Sequence, residues 1–215
     1  MPPPTRPRTA RIKPRSIKMS QTTFSAFQRH LLFFSTPSAR PRLTLTSALR
    51  ASVKIGLDFP VAALLSLSLR ILYAPYPFFW APIYIDDIPT SLHRTQLASA
   101  TLPKAKPHYT CSELLALLHQ SEQGGASGKG WVKHMIDQGH VVGFWTMAAD
   151  ARTHVVGSED VERFQQGEWE RAVVERRRGR SDVLPWWRGG PIWVGGHSWA
   201  VGRVLGVEVY DRKGQ

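Results

Sequence analysis

Residues 59–88 read FPVAALLSLSLRILYAPYPFFWAPIYIDDI. No charged residue lies between Asp58 and Arg70, and none between Arg70 and Asp86. Pro60 suits a first helical turn and Pro75 stops a helix near Tyr73. At ~1.5 Å per residue such a helix is about 20 Å long, against roughly 30 Å of bilayer hydrocarbon, so it does not span. Residues 74–82, APYPFFWAP, cannot carry the chain onward through lipid, because their backbone groups would lack partners. Two readings stay open. In one, a monotopic hairpin enters a single leaflet, turns at Pro75, Pro77 and Pro82, and returns to the side it left. In the other, a buried core helix is followed by a proline-rich loop. Trp80, Tyr73, Tyr76 and Tyr84 are residue types that sit at headgroup level, and Asp86 and Asp87 mark the return to water.

Upstream, the chain is basic. The protein of 215 residues carries a formal charge of +12, and its first acidic residue is Asp58. That balance points to an anionic partner such as phospholipid headgroups, nucleic acid or an organelle import path, without choosing among them. Residues 1–20 read as a disordered basic arm. It has no apolar centre for a secretory signal, and it is Arg-rich like a mitochondrial presequence but interrupted by prolines. Residues 21–58 read as a helix-loop-helix. Phe24, Phe27, His30, Leu31 and Phe34 share one helical face, STPSARPR (Ser35–Arg42) breaks it, and a second helix runs from about Thr44 through Lys54.

Downstream of the 59–88 anchor, residues 89–107 read as a linker and 108–180 as a helical region. Thr110 and Glu113 form a capping-box pattern ahead of a Leu-rich helix. After a Gly/Ser break, residues 131–149 resume a helix, and SEDVERFQQGEWERAVVERRR follows with Ser158 as its cap and Val161, Phe164 and Trp169 as its apolar side. The Arg run within Glu175–Arg180 reads as a solvated face. Residues 181–215 form a Gly/Trp-rich tail in which a short β-hairpin or an irregular flap is expected, most regularly from Trp199 to Tyr210. The fold class is therefore mainly α.

Few residues offer chemistry. The single Cys111 excludes a disulfide framework within the chain and reads as a small residue beside apolar positions. GASGKG (Gly125–Gly130) lacks the Walker pattern, and no Ser/His/Asp grouping stands out. His108, His119, His134, His140, His154 and His197 show no metal-ligand spacing and read as structural.

The order of elements resembles the caleosin (plant peroxygenase) family. FQRHLLFF before a loop, LRASVKIGLDFPVAALLSLSLRILYAP as an amphipathic segment leading into an apolar anchor, APYPFFWAPIYIDDI as a proline knot, and the helices from Tyr109 onward follow that family's sequence of parts over roughly residues 24–175. The resemblance implies a degenerate EF-hand-like helical domain with a proline-knot anchor. It implies residence on lipid droplets or the endoplasmic reticulum, facing the cytosol. It also implies haem held by His30 and His93, with oxygen passed from a fatty-acid hydroperoxide to an unsaturated lipid. Pro75, Pro77, Pro82, Trp80 and Tyr84 are its anchor residues. The partners so implied are a lipid monolayer and these lipid substrates, and nucleic acid is not expected.

Calcium is not expected either. In STPSARPRLTLT the ligand positions read Ser35, Pro37, Ala39 and Thr46, none a carboxylate, with Arg40 and Arg42 adding positive charge. The family's Gly-Ser-Asp-Thr-Gly stretch is RTQLA here (Arg94–Ala98), and another family histidine is Pro89. These departures keep open a second expectation, a non-catalytic lipid-droplet surface protein that retains the anchor alone.

Overall fold

The computed structural model describes residues 24–75, 78–90, 95–103, 105–123, 131–179 and 182–210. The basic arm 1–20, Pro77, His93 and the Gly/Ser break at 124–130 lie outside them. The described chain is mainly helical.

α1 (Ala26–Phe34) starts at Ser25, whose hydroxyl accepts from the Gln28 amide while the Gln28 side chain accepts from the Ser25 amide. It buries Phe27, Leu31 and Phe34, the face that the spacing predicts. Thr44 and Ser47 form the same reciprocal cap on α2 (Leu45–Lys54). The loop between them contains β1 (Arg42–Leu43), which pairs antiparallel with β2 (Ile83–Tyr84), Arg42 opposite Tyr84 and Leu43 opposite Ile83. The carboxylate-free loop is tied across by ion pairs instead: Arg40 meets Asp86 at 3.0 Å and Asp87 at 2.8 Å, its guanidinium lying 3.8 Å above the Tyr84 ring.

α3 (Phe59–Tyr73) runs between the limits that its prolines predict, with Asp58 as cap and Pro60 in its first turn. It does not project from the body. Ala62, Ser66, Leu69 and Arg70 are buried, and the helix packs along α2. Arg70 donates to the carbonyls of Leu43, Phe79 and Ala81, so it fastens the proline-rich return to the domain and satisfies backbone that a loop would otherwise expose. No described helix is long and apolar enough to cross a membrane.

β3 (His108–Tyr109) pairs antiparallel with β4 (Val156–Gly157). α4 (Cys111–Gln123) follows β3 with the Thr110–Glu113 capping box in place, and α5 (Trp131–Ala148) precedes β4. The stretch expected as a linker contains a turn at Gln96–Ser99 whose Leu97 is fully buried in the main core.

Three expectations need correction. The helix expected from Ser158 to Arg178 is two helices, α6 (Ser158–Gln166) and α7 (Trp169–Arg178), and Gly157, not Ser158, is the N-cap. Gly167 (φ +80) makes the break: a Cβ there would stand 1.8 Å from the Ala26 carbonyl oxygen, so only glycine lets the turn press against α1. The Arg run is not solvated throughout. Arg177 is fully buried and donates to the carbonyls of Ile55 and Met147, while Arg176 pairs with Asp160 and Asp182. The tail forms a helix, α8 (Val194–Leu205), where a short β-hairpin or an irregular flap was expected. Val194, Val201 and Leu205 fall at spacings of seven and four and join a hydrophobic cluster with Val53, Leu57 and Ala62, so tertiary burial overrides the β-preference of the valines. Gly206 (φ +64) ends α8, and Val207, Val209 and Tyr210 after it are buried.

Candidate functional site

His30 sits on α1 three residues after Phe27 and four before Phe34, on a helix that also buries Gln28, whose amide donates to the carbonyls of Ile85 and Ile88. The pressed turn at Gly167 brings the first turn of α7 against it, 140 residues away in sequence. His30 Nδ1 there pairs with the Glu170 carboxylate, which is 1% exposed against 24% for the imidazole. Glu170 lies in the first turn of α7, where the helix dipole favours a negative charge. The ring stacks on Trp169 with centroids 6.0 Å apart and meets Phe34 edge-on at 5.4 Å. Its orientation is thus set on three sides. Because Nδ1 is engaged, Nε2 is the nitrogen left for a ligand.

His30 lines an apolar cavity of about 180 Å³ between α1, α3 and α5. Leu65, Leu69, Leu72 and Tyr73 form its α3 wall, and His140, Phe144 and Met147 its α5 wall. Gly139 and Gly143, one helical turn apart, leave room there, since a Cβ on either would meet nothing within 4 Å. Burial pushes the Tyr73 phenol well above its ordinary pKa, so this wall stays uncharged. Leu72 also belongs to the outer face of α3, so the cavity reaches the surface there.

That outer face carries no charge and is apolar apart from Ser68, whose hydroxyl is turned back onto the Leu64 carbonyl. Val61, Leu64, Leu67, Ile71 and Leu72 are exposed along α3, and the return adds Phe78 and Trp80, the latter 78% exposed. Pro75 ends the helix side of this turn and Pro82 precedes β2. Tyr84 differs from the reading as a headgroup residue: it is half-buried beneath Arg40. Cys111 is half-buried, and burial raises its thiol pKa, so it is protonated at neutral pH.

Imidazole is among the donors that hold haem iron. A metal-bound imidazole characteristically has its other nitrogen held by a carboxylate, as Glu170 holds His30. The enclosed volume is narrower than the roughly 300–1,000 Å³ of common small-ligand pockets. Of the two histidines expected at the iron, His93 lies outside the described residues, whereas His140, read from sequence as structural, shares the cavity with His30. Glu170 and His140 carry no spacing signal; only the packing of α1, α5 and α7 reveals them. No protein-family model, curated protein or solved structure matches the chain.

Proposed function

We propose that the protein is a caleosin-like peroxygenase of a lipid surface, seated by the outer face of α3 on the cytosolic side of lipid droplets or the endoplasmic reticulum. The observation that carries the reading is the His30–Glu170 pair at the wall of an apolar cavity whose edge runs into that face. His30 Nε2 would hold the iron, Glu170 would keep the ring aligned and electron-rich, and Trp169 would fix its tilt. Haem, when bound, supplies the capacity to move an oxygen atom from a fatty-acid hydroperoxide to an unsaturated lipid. The protein's own part is to exclude water and to admit acyl chains past Leu72. Leu64, Ile71, Phe78 and Trp80 enter the monolayer by burying apolar area, at about 25 cal/mol per Å². The fold that positions these groups is, in this reading, a degenerate EF-hand-like pair in which Arg40 with Asp86 and Asp87 stands where calcium binds in an intact loop.

A second reading rests on the narrowness of the cavity: a non-catalytic coat protein of lipid droplets that takes one acyl chain beside His30. An absorption spectrum separates the two. Full-length protein purified in detergent and supplied with haem shows a Soret band if the first holds; a colourless protein that still floats with phosphatidylcholine–triolein droplets leaves the second. Flotation itself is lost in the double variant Leu64→Asp, Ile71→Asp if α3 is the membrane face, and its retention would end both readings.

A further inference from the structure

Beyond the His30 cavity, a second pocket of about 700 Å³ lies where the first turn of α3 meets α8, within the size range of small-molecule sites. Its floor is a histidine–carboxylate pair. His197 Nδ1 lies 3.0 Å from Asp58 Oδ1, and the imidazole is 6% exposed. Asp58 is itself fixed: its amide donates to the Gly189 carbonyl at 2.7 Å, and its carboxylate caps α3 by accepting from the Phe59 amide at 2.9 Å. His197 lines the pocket, and its Nε2 is buried with no hydrogen-bond partner among the described residues. A buried acceptor without a donor is costly, and a ligand is the natural donor.

The surroundings narrow the ligand's chemistry. Burial holds His197 below the ordinary histidine pKa despite the neighbouring carboxylate, so the ring is neutral at pH 7. With Nδ1–H given to Asp58, Nε2 is a lone-pair acceptor that asks for an O–H or N–H group. Asp58 disfavours an anion there. The first turn of α8 also begins at Trp193 without a side-chain cap, and Gly195 and Gly196, whose amides belong to that turn, line the same pocket. A hydroxyl can donate to Nε2 and accept from such an amide at once. The remaining walls are Phe59, Ile192, Trp193 and Trp199, all exposed at their outer edges. The Trp193 ring lies so close to Gly196 that a Cβ there would stand 2.3 Å from it. Phe59 also opens the apolar face of α3, so the pocket mouth continues the proposed lipid-contact surface.

We infer that this pocket binds a hydroxyl-bearing lipid, its O–H donated to His197 Nε2 and its hydrocarbon laid along Phe59, Trp193 and Trp199. None of these residues lines the His30 cavity, so the inference does not depend on haem and fails or stands separately from the Soret band. Long-chain alcohols, monoacylglycerols and sterols share the required chemistry.

The test uses full-length protein in detergent and two radiolabelled probes, oleyl alcohol and oleyl methyl ether, in which a methyl group replaces the hydroxyl hydrogen and so removes the donor. Saturable binding of the alcohol, with the ether about tenfold weaker, is expected for one buried hydrogen bond. His197→Phe should bring the alcohol down to the level of the ether and leave the ether unchanged. Displacement by monoolein or by ergosterol then tells which lipid class the site prefers. Equal binding of alcohol and ether, alcohol uptake without saturation, or an alcohol preference that survives in a folded His197→Phe protein would each overturn the inference. Should that variant not fold, the alcohol-to-ether ratio on the unaltered protein decides the matter by itself.

Discussion

The cavity at His30 and the pocket at His197 are built from the same pair of groups with their burial reversed. At the first, the carboxylate is the sheltered member, Glu170 at 1% exposure beside an imidazole at 24%; at the second, the imidazole is sheltered at 6% and Asp58 stands at 33%. A buried carboxylate fixes a ring's orientation, which suits holding a metal. A half-exposed carboxylate fixes a ring that burial keeps neutral, which suits accepting a hydrogen bond. The same two side-chain types thus serve different chemistry according to which of them water can reach.

Variants that strike one pair and spare the other sharpen this contrast most. His30→Ala should abolish the Soret band completely, and His197→Ala should leave it in place; a band lost equally in both would dissolve the distinction. Arg177→Met comes next, because that buried guanidinium ties the carbonyls of Ile55 and Met147 to α7 and so braces both regions. Burial pushes its pKa down to about 10, still charged at neutral pH. Its removal should cost about 3 kcal/mol of stability by thermal or denaturant melting, since it strips two buried acceptors and one member of the Asp182 cluster. An unchanged midpoint would show that the two regions fold independently of it.

Glu170→Gln is a gentler probe of the first pair. It keeps the shape and removes the charge, and should weaken haem retention by about 10–100-fold in a transfer assay to apomyoglobin. Retention equal to that of the unaltered protein would mean that Glu170 is a packing residue only. The smallest effect is expected from pH at the second pair. The folded-state pKa of His197 is depressed below 6.5, chiefly by burial, so the unfolded chain binds the proton more readily. Its contribution to stability is therefore full above pH 6.5 and declines as pH falls below that value. Melts from about pH 7.5 to about pH 5 should show a shallower decline in His197→Phe than in the unaltered protein; parallel curves would place the His197 proton elsewhere.

How far the sequence led varies with the range of the interaction concerned. The limits of α2 and α3, and the capping box at Thr110, were legible because caps and prolines act within a few residues of where they stand. The apolar stretch was legible as something that cannot span a bilayer, but the sequence left open whether it is an anchor or a core helix; that its inner face is half core depends on Arg70 reaching Leu43, Phe79 and Ala81. The tail misled because its valines prefer strand locally, and only the facing residues Val53, Leu57 and Ala62 reward the helix. His30 stood out through its neighbours on α1 and through a likeness in the order of parts. His140, Glu170, Asp58 and His197 did not, since nothing in the intervening residues records who meets whom.

By itself, then, the amino-acid order settled a mainly helical chain, where α2 and α3 start and stop, and an apolar segment too short to cross a membrane, all consequences of forces that act along a few turns of backbone. The folded arrangement alone decided that Gly167 lets α7 touch α1, that Arg177 is core instead of surface, and that each of two histidines finds a carboxylate far off in the chain. Those outcomes depend on close packing between distant segments, where a missing Cβ or a buried charge chooses the partner, and such choices exist only once the segments are brought together.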